Sequence, residues 1–216
     1  MTYPDLFPEL RSYIQELENE LPEIAPERLS ILKDLASYIL QSKEEHRLVQ
    51  LLFVCTHNSR RSHIAQIWAH TFATYFKISD VYCYSGGTES TAFHPNSIAS
   101  LQSCGFSIET QPAKHNPRQL VRNGHNPHEL YCYSKKYDEP PNPEHNFAAV
   151  MVCSDADANC PVIPGAEKRI SLTYEDPKNY DNSPEEAQMY DFTCRLIGRE
   201  MLWCFSRVAE RIKEVS

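Results

Sequence analysis

At 216 residues, with 41% hydrophobic and 23% charged side chains, the chain has the length of one domain with an appendage. It carries enough apolar material to bury a core rather than stay disordered. Its 21 Lys and Arg against 29 Asp and Glu give a net charge of −8, which argues against a broad nucleic-acid surface. No apolar run approaches the ~18–20 residues that span a bilayer, and the opening MTYPDLFPELRSYIQELENE has neither a basic nor an apolar leader region, so neither a membrane span nor a signal peptide is expected. Eight cysteines without such a signal predict reduced thiols in a cytoplasm rather than a disulfide framework.

Residues 5 to about 45 have a helical pattern broken near Pro22–Pro26, and Leu29, Ile31, Leu32, Leu35, Tyr38 and Ile39 share one stripe. The two helices form a hairpin (1–46) that cannot bury its stripe alone and must dock on the body or on a partner. VQLLFVC (49–55) reads as a buried strand, 62–76 as a helix and VYCYSGG (81–87) as a second strand ending in paired glycines. PNSIASLQSCGF (95–106) reads as a helix with Pro95 in its first turn and Gly105 past its end. FAAVMVC (147–153) and KRISLTY (168–174) are the third and fourth apolar runs, and a long helix follows Pro184. Strands alternating with helices predict an α/β body (47–216) on a mostly parallel sheet. The stretch 107–146 breaks that rhythm with Pro, Asn, His and Tyr. It reads as an insertion with a hairpin, suited to a homodimer contact or, the preferred reading, to a cover over a sheet edge.

The chemistry concentrates in LLFVCTHNSRRSHIAQIW. Cys55 ends a strand, and Arg61 stands six residues later where a helix begins. Amides of a strand-to-helix loop can converge on a tetrahedral oxyanion, aided by the positive end of the helix. Such a field lowers a cysteine pKa from ~8.5 into the range ~3.5–7.5. Arg61 can grip two anion oxygens, Ser62 can donate to a thiolate, and Asn58 tolerates the positive φ of a sharp turn. The plainer reading is a small buried cysteine before a helix-capping turn.

CTHNSRRS resembles the phosphate loop of the low-molecular-weight protein-tyrosine phosphatases and of the thioredoxin-coupled arsenate reductases that share their fold. The resemblance implies a three-layer α/β domain with a four-stranded sheet. It also implies a nucleophilic Cys55, an oxyanion-binding Arg61, a loop-ordering Asn58 and a thiolate-supporting Ser62, with His57, Ser59 and Arg60 completing the oxyanion loop. His57 stands where Gly is frequent in that family, and Arg60 where a second Cys or a small residue is. Gln66 replaces the Glu of the potassium-binding reductases, so no potassium is expected. Asp176, followed by Pro177 after the fourth strand, matches the family's general acid, with Glu175 as the backup. YSGGTES (84–90) matches a segment bordering the active site, where Gly86 and Gly87 serve close backbone approach.

CSDADANCP separates two readings. A phosphatase needs no further thiol, whereas a reductase must dispose of two electrons. Cys153 and Cys160 resemble the second and third redox cysteines of the reductase branch. The implied route runs from Cys55 attack on arsenate, through Cys153 attack on Cys55, to a Cys153–Cys160 disulfide reduced by thioredoxin, with no other cofactor. A continuous helix from 153 to 160 would hold their Cα atoms ~10 Å apart, while a disulfide needs ~4.4–6.8 Å. The segment must therefore unwind, which Ser154, Asp155, Asp157, Asn159 and Pro161 favour. Zinc is not expected, because neither cysteine lies in a C-x2-C pair. The expected function is a cytoplasmic arsenate reductase. The alternatives are a phosphatase of phosphotyrosine or small phosphoesters, and a non-catalytic anion- or protein-binding module.

Overall fold

The computed structural model describes residues 6–125, 129–160 and 162–215. Two helices open the chain, α1 (Pro8–Asn19) and α2 (Pro26–Glu44), joined through a short 3₁₀ turn. Proline sits in the first turn of each, where its missing N–H leaves no hydrogen bond unmade. Leu10, Ile14 and Leu17 of α1 and Leu32, Leu35 and Ile39 of α2 are buried. They belong to the same apolar cluster as the sheet, so the hairpin docks on the body rather than standing apart.

Four strands form the main sheet: β1 (Val49–Cys55), β2 (Val81–Gly87), β6 (Phe147–Met151) and β7 (Ala166–Ser171). Their order is β2-β1-β6-β7, with every pair parallel. Leu51, Leu52, Phe53 and Val54 have no exposed surface, as expected of a strand covered on both faces. From β1 the chain moves first to one side and later to the other, so a crevice opens beyond the carboxyl ends of β1 and β6. Cys55 ends β1 there, and Val152 N–H bonds Val54 C=O at 2.8 Å, which brings Cys153 to the same end.

Helix α3 (Arg61–Tyr75) leaves that crevice and packs on β1, β2 and the long helix α6 (Glu186–Val215). It is buried almost throughout, because Tyr13 of α1 stacks on its Trp68 at 6.0 Å and α6 covers another face. A Cβ on Gly198 of α6 would stand 2.9 Å from Trp68 Cε2, so glycine lets the helices approach. Helix α4 (Pro95–Ser103) also packs on α6, and the short α5 (Ser154–Asn159) on β1 and β6.

The insertion is more than a hairpin. β3 (Ser107–Thr110), β4 (Gln119–Arg122) and β5 (Leu130–Cys132) form a separate antiparallel sheet. Its continuation meets the end of β2: Gly87 N–H donates to Lys135 C=O, and Tyr137 N–H to Gly87 C=O, both at 2.9 Å. The end of that edge strand is thereby covered. Two apolar runs end earlier than their patterns predict: the strand from Phe147 stops at Met151 because Cys153 turns to cap α5, and β7 stops at Ser171. Helix α4 ends at Ser103, with Gly105 past its end as expected. Among the described residues no helix is long and apolar enough to cross a membrane.

Candidate active site

The loop from Cys55 to Arg61 is held from outside by its carbonyls. Cys55 C=O accepts from Thr88 N–H at 3.1 Å, Thr56 C=O from Glu89 N–H at 2.8 Å, and Ser59 C=O from His94 N–H at 2.9 Å. His57 C=O accepts from the Ser134 hydroxyl at 2.9 Å and the Thr91 hydroxyl at 3.2 Å. Among the described residues, no acceptor is placed on the N–H groups of His57 to Ser62. Carbonyls tied outward and amides left unpaired at a helix start make an anion-binding concavity.

Asn58 has φ +43° and organises the turn with both ends of its amide. Its Nδ2 donates to Ser62 Oγ at 2.9 Å, and its Oδ1 accepts from Lys135 N–H at 2.9 Å. Ser62 Oγ lies 3.1 Å from Cys55 Sγ. Since Ser62 already accepts from Asn58, its own proton is free to turn toward the sulfur. Gly87 admits the loop: a Cβ there would stand 2.3 Å from Glu89 O, 2.6 Å from Thr56 O and 2.7 Å from Asn58 N. Gly87→Ala should therefore cost roughly 1–3 kcal/mol or more, lowering Tm by roughly 2–4 °C per kcal/mol. It should also slow alkylation of Cys55 by iodoacetamide in the protein that remains folded.

Arg61 is buried and fixed by two partners. Nη1 donates to Tyr174 C=O at 2.7 Å, and Nη2 pairs with Asp176 Oδ2. Its Nε is buried without a partner among the described residues and can donate to an incoming anion. Asp176 Oδ1 accepts from Lys178 N–H at 3.1 Å at the head of a 3₁₀ turn. Glu175 is exposed, so Asp176 is the carboxylate that meets Arg61. Cys55, Thr56, His57, Arg60, Arg61 and Asp176 together line a small hollow. His57 faces Glu89 at 3.5 Å, and Ser59 Oγ donates to Ala92 C=O at 2.7 Å.

Arg60 is anchored by groups that sequence reading did not connect to it. Its Nε donates to Tyr190 Oη at 2.6 Å and its Nη2 reaches Asp181 at 3.2 Å. Burial pushes the Tyr190 phenol up to about 12, so it stays protonated and donates to Asp181 at 2.8 Å. His94 stacks on the Tyr190 ring at 5.3 Å. Ser134 and Lys135, also unconnected by sequence reading, come from the insertion.

Cys153 is fully buried. Its sulfur accepts from Ala156 N–H at 3.2 Å as the N-cap of α5, and lies 3.4 Å from Thr56 Oγ1. Cys160 is the C-cap of α5 and half-buried. Both are free thiols, at opposite ends of a six-residue helix. Asp157 ties that helix to β7, with its carbonyl on Arg169 at 2.6 Å and its carboxylate on Ser171 at 2.6 Å. Pro161, expected to stop the helix, lies outside the described residues. Cys83, Cys104, Cys132, Cys194 and Cys204 are buried, and burial raises the thiol pKa of Cys83, Cys132, Cys194 and Cys204, as expected of packing residues. No group of three His, Cys, Asp or Glu among the described residues is placed to hold a metal ion.

A strand-loop-helix cradle with a cysteine at its base and an arginine at its head defines a class. Residues 50–124 match the family described as low molecular weight phosphotyrosine protein phosphatase. Over those residues the chain is similar to that family, and over a longer stretch it is similar to arsenate reductases. An arsenate reductase from Staphylococcus aureus is 26% identical over 127 residues, covering 59% of this chain and 77% of that protein. Arsenate reductase 2 of Staphylococcus haemolyticus is 28% identical over 128 residues, with the same shares. In fold, a low-molecular-weight phosphotyrosine phosphatase from Vibrio cholerae is similar with a TM-score of 0.50 at 16% identity, covering 74% of this chain and 95% of that one.

Proposed function

We propose that the chain is an arsenate reductase in which Cys55, Cys153 and Cys160 react in turn, with thioredoxin as the external reductant. The observation that carries this reading is the place of Cys153. Its sulfur lies 3.4 Å from the side chain of Thr56, next in the chain to Cys55, with Cys160 one short helix away. The arsenate reductases among the relatives support the same direction.

The Cys55 thiolate attacks arsenic in arsenate, which is held by the loop amides, Arg61 and Arg60. An S–As bond forms, an As–O bond breaks, and Asp176 supplies the proton with which the oxygen leaves as water. The incoming anion takes Arg61 Nε and displaces Asp176 from Nη2, while Tyr174 C=O keeps the guanidinium in place. The Cys153 thiolate then attacks Cys55 Sγ. The S–As electron pair stays on arsenic, which departs as arsenite, and a Cys55–Cys153 disulfide forms. Cys160 attacks Cys153, freeing Cys55, and the dithiol of thioredoxin supplies two electrons and two protons to the Cys153–Cys160 disulfide. A reducing compartment such as the cytoplasm suits this chemistry.

A phosphatase is the second reading, favoured by the family match over residues 50–124, and it would use only Cys55, Arg61 and Asp176. Arsenate-dependent NADPH oxidation with thioredoxin and thioredoxin reductase tests the proposal. Steady consumption supports it. No consumption alongside sustained p-nitrophenyl phosphate hydrolysis would assign the phosphatase.

A further inference from the structure

A side chain of helix α2 holds the segment that leads to Asp176. Arg28, in its first turn, forms a two-pronged ion pair with Glu200 of α6: Nε to Oε1 at 2.8 Å and Nη2 to Oε2 at 2.6 Å. Its remaining prong, Nη1, donates to Thr173 C=O at 2.9 Å. Glu200 is 1% exposed and also accepts from the Tyr174 hydroxyl at 2.7 Å, while the Arg28 guanidinium lies 4.8 Å from the centre of the Tyr174 ring. The next carbonyl, that of Tyr174, accepts from Arg61 Nη1 at 2.7 Å. Two guanidinia thus hold consecutive carbonyls of one strap, and Asp176 follows two residues later.

From this geometry we infer that Arg28 is a positioning residue for the oxyanion chemistry. Through Thr173 and the Tyr174–Glu200 contact it sets where the strap presents Tyr174 C=O to Arg61 and Asp176 to the hollow. Helix α2 is then part of the active-site frame. Arg28 touches neither substrate nor sulfur, so its effect passes entirely through Arg61 and Asp176. The inference rests on Arg61 gripping an oxyanion beside Cys55 and is independent of Cys153 and Cys160. It therefore holds for arsenate reduction and phosphoester hydrolysis alike.

Removing Arg28 alone would strand a buried carboxylate, so the test uses two variants. Arg28→Lys keeps a cation for Glu200 but cannot span Glu200 and Thr173 C=O with one planar fork. Arg28→Met with Glu200→Gln removes both charges and keeps an amide oxygen for Tyr174. Each is assayed for kcat, for its pH profile, and for protection of Cys55 from iodoacetamide by arsenate and by inorganic phosphate, normalised to folded protein. The double variant should lose about 10²-fold in kcat through misplacement of the reacting groups, with a displaced acid limb and weaker protection. Arg28→Lys should lose about tenfold, the order of one charge-assisted hydrogen bond.

A folded variant whose Tm falls while kcat, pH profile and protection stay at wild-type values would overturn the inference, because Arg28 would then be structural only. If the double variant does not fold, the lysine variant decides by the same readouts. Wild-type enzyme that binds arsenate but consumes no NADPH would sink the reductase reading and leave this test intact. Wild-type enzyme that no oxyanion protects would overturn this inference.

Discussion

Cys153→Ser should abolish thioredoxin-coupled arsenate turnover while leaving p-nitrophenyl phosphate hydrolysis at whatever level the wild type shows. The substitution is structurally mild. Cys153 caps α5 by accepting Ala156 N–H at 3.2 Å, and serine is among the preferred N-cap residues. What is lost is the nucleophile, since a serine hydroxyl at neutral pH does not displace arsenic from sulfur. Arsenate should therefore stop at the Cys55 adduct. Cys160→Ser should instead release one arsenite per chain and stop with Cys55 joined to Cys153, a bond seen in a non-reducing peptide map. Continued arsenate reduction by Cys153→Ser would rule out the relay.

The second large effect is expected at Arg61. Arg61→Lys keeps the charge and loses the planar fork. In the wild type Nη1 is committed to Tyr174 C=O and Nη2 to Asp176, with Nε unpaired, so three functions converge on one rigid group. An ammonium cannot keep the Tyr174 carbonyl and also offer two aligned donors to an anion. The loss in kcat/KM should be about 10²–10³-fold, the scale of removing one oxyanion donor. It should fall equally on arsenate and p-nitrophenyl phosphate. A lysine variant with wild-type kcat/KM would show that the anion is held without the Arg61 fork.

The central strands were legible because their cause is local. LLFVC is an uninterrupted apolar run between Gln50 and Thr56, and VYCYSGG ends where backbone crowding at Gly87 demands glycine. The insertion was less legible. SIET is short and largely exposed, so β3 carries no alternation and owes its existence to pairing with β4. The loop residues Cys55, Asn58, Arg61 and Ser62 could be singled out together because they fall within eight consecutive positions. Their supports could not: Tyr190 lies 130 positions from Arg60, and Lys135 lies 77 from Asn58. Arg28 showed nothing in the sequence but a polar residue near a helix start, and only the fold places it against Glu200, 172 positions away.

The sulfur of Cys153 is also the group that holds the first turn of α5, through its bond to Ala156 N–H. In the proposed relay the sulfur gives up its negative charge as it bonds to Cys55, so its hold on Ala156 N–H weakens as the disulfide forms. Cys160 would be freed to move only after arsenite has gone, and a premature short circuit between the two outer thiols would be held off until the chain has something to reduce. Timing would then be written into one atom, with no separate trigger required.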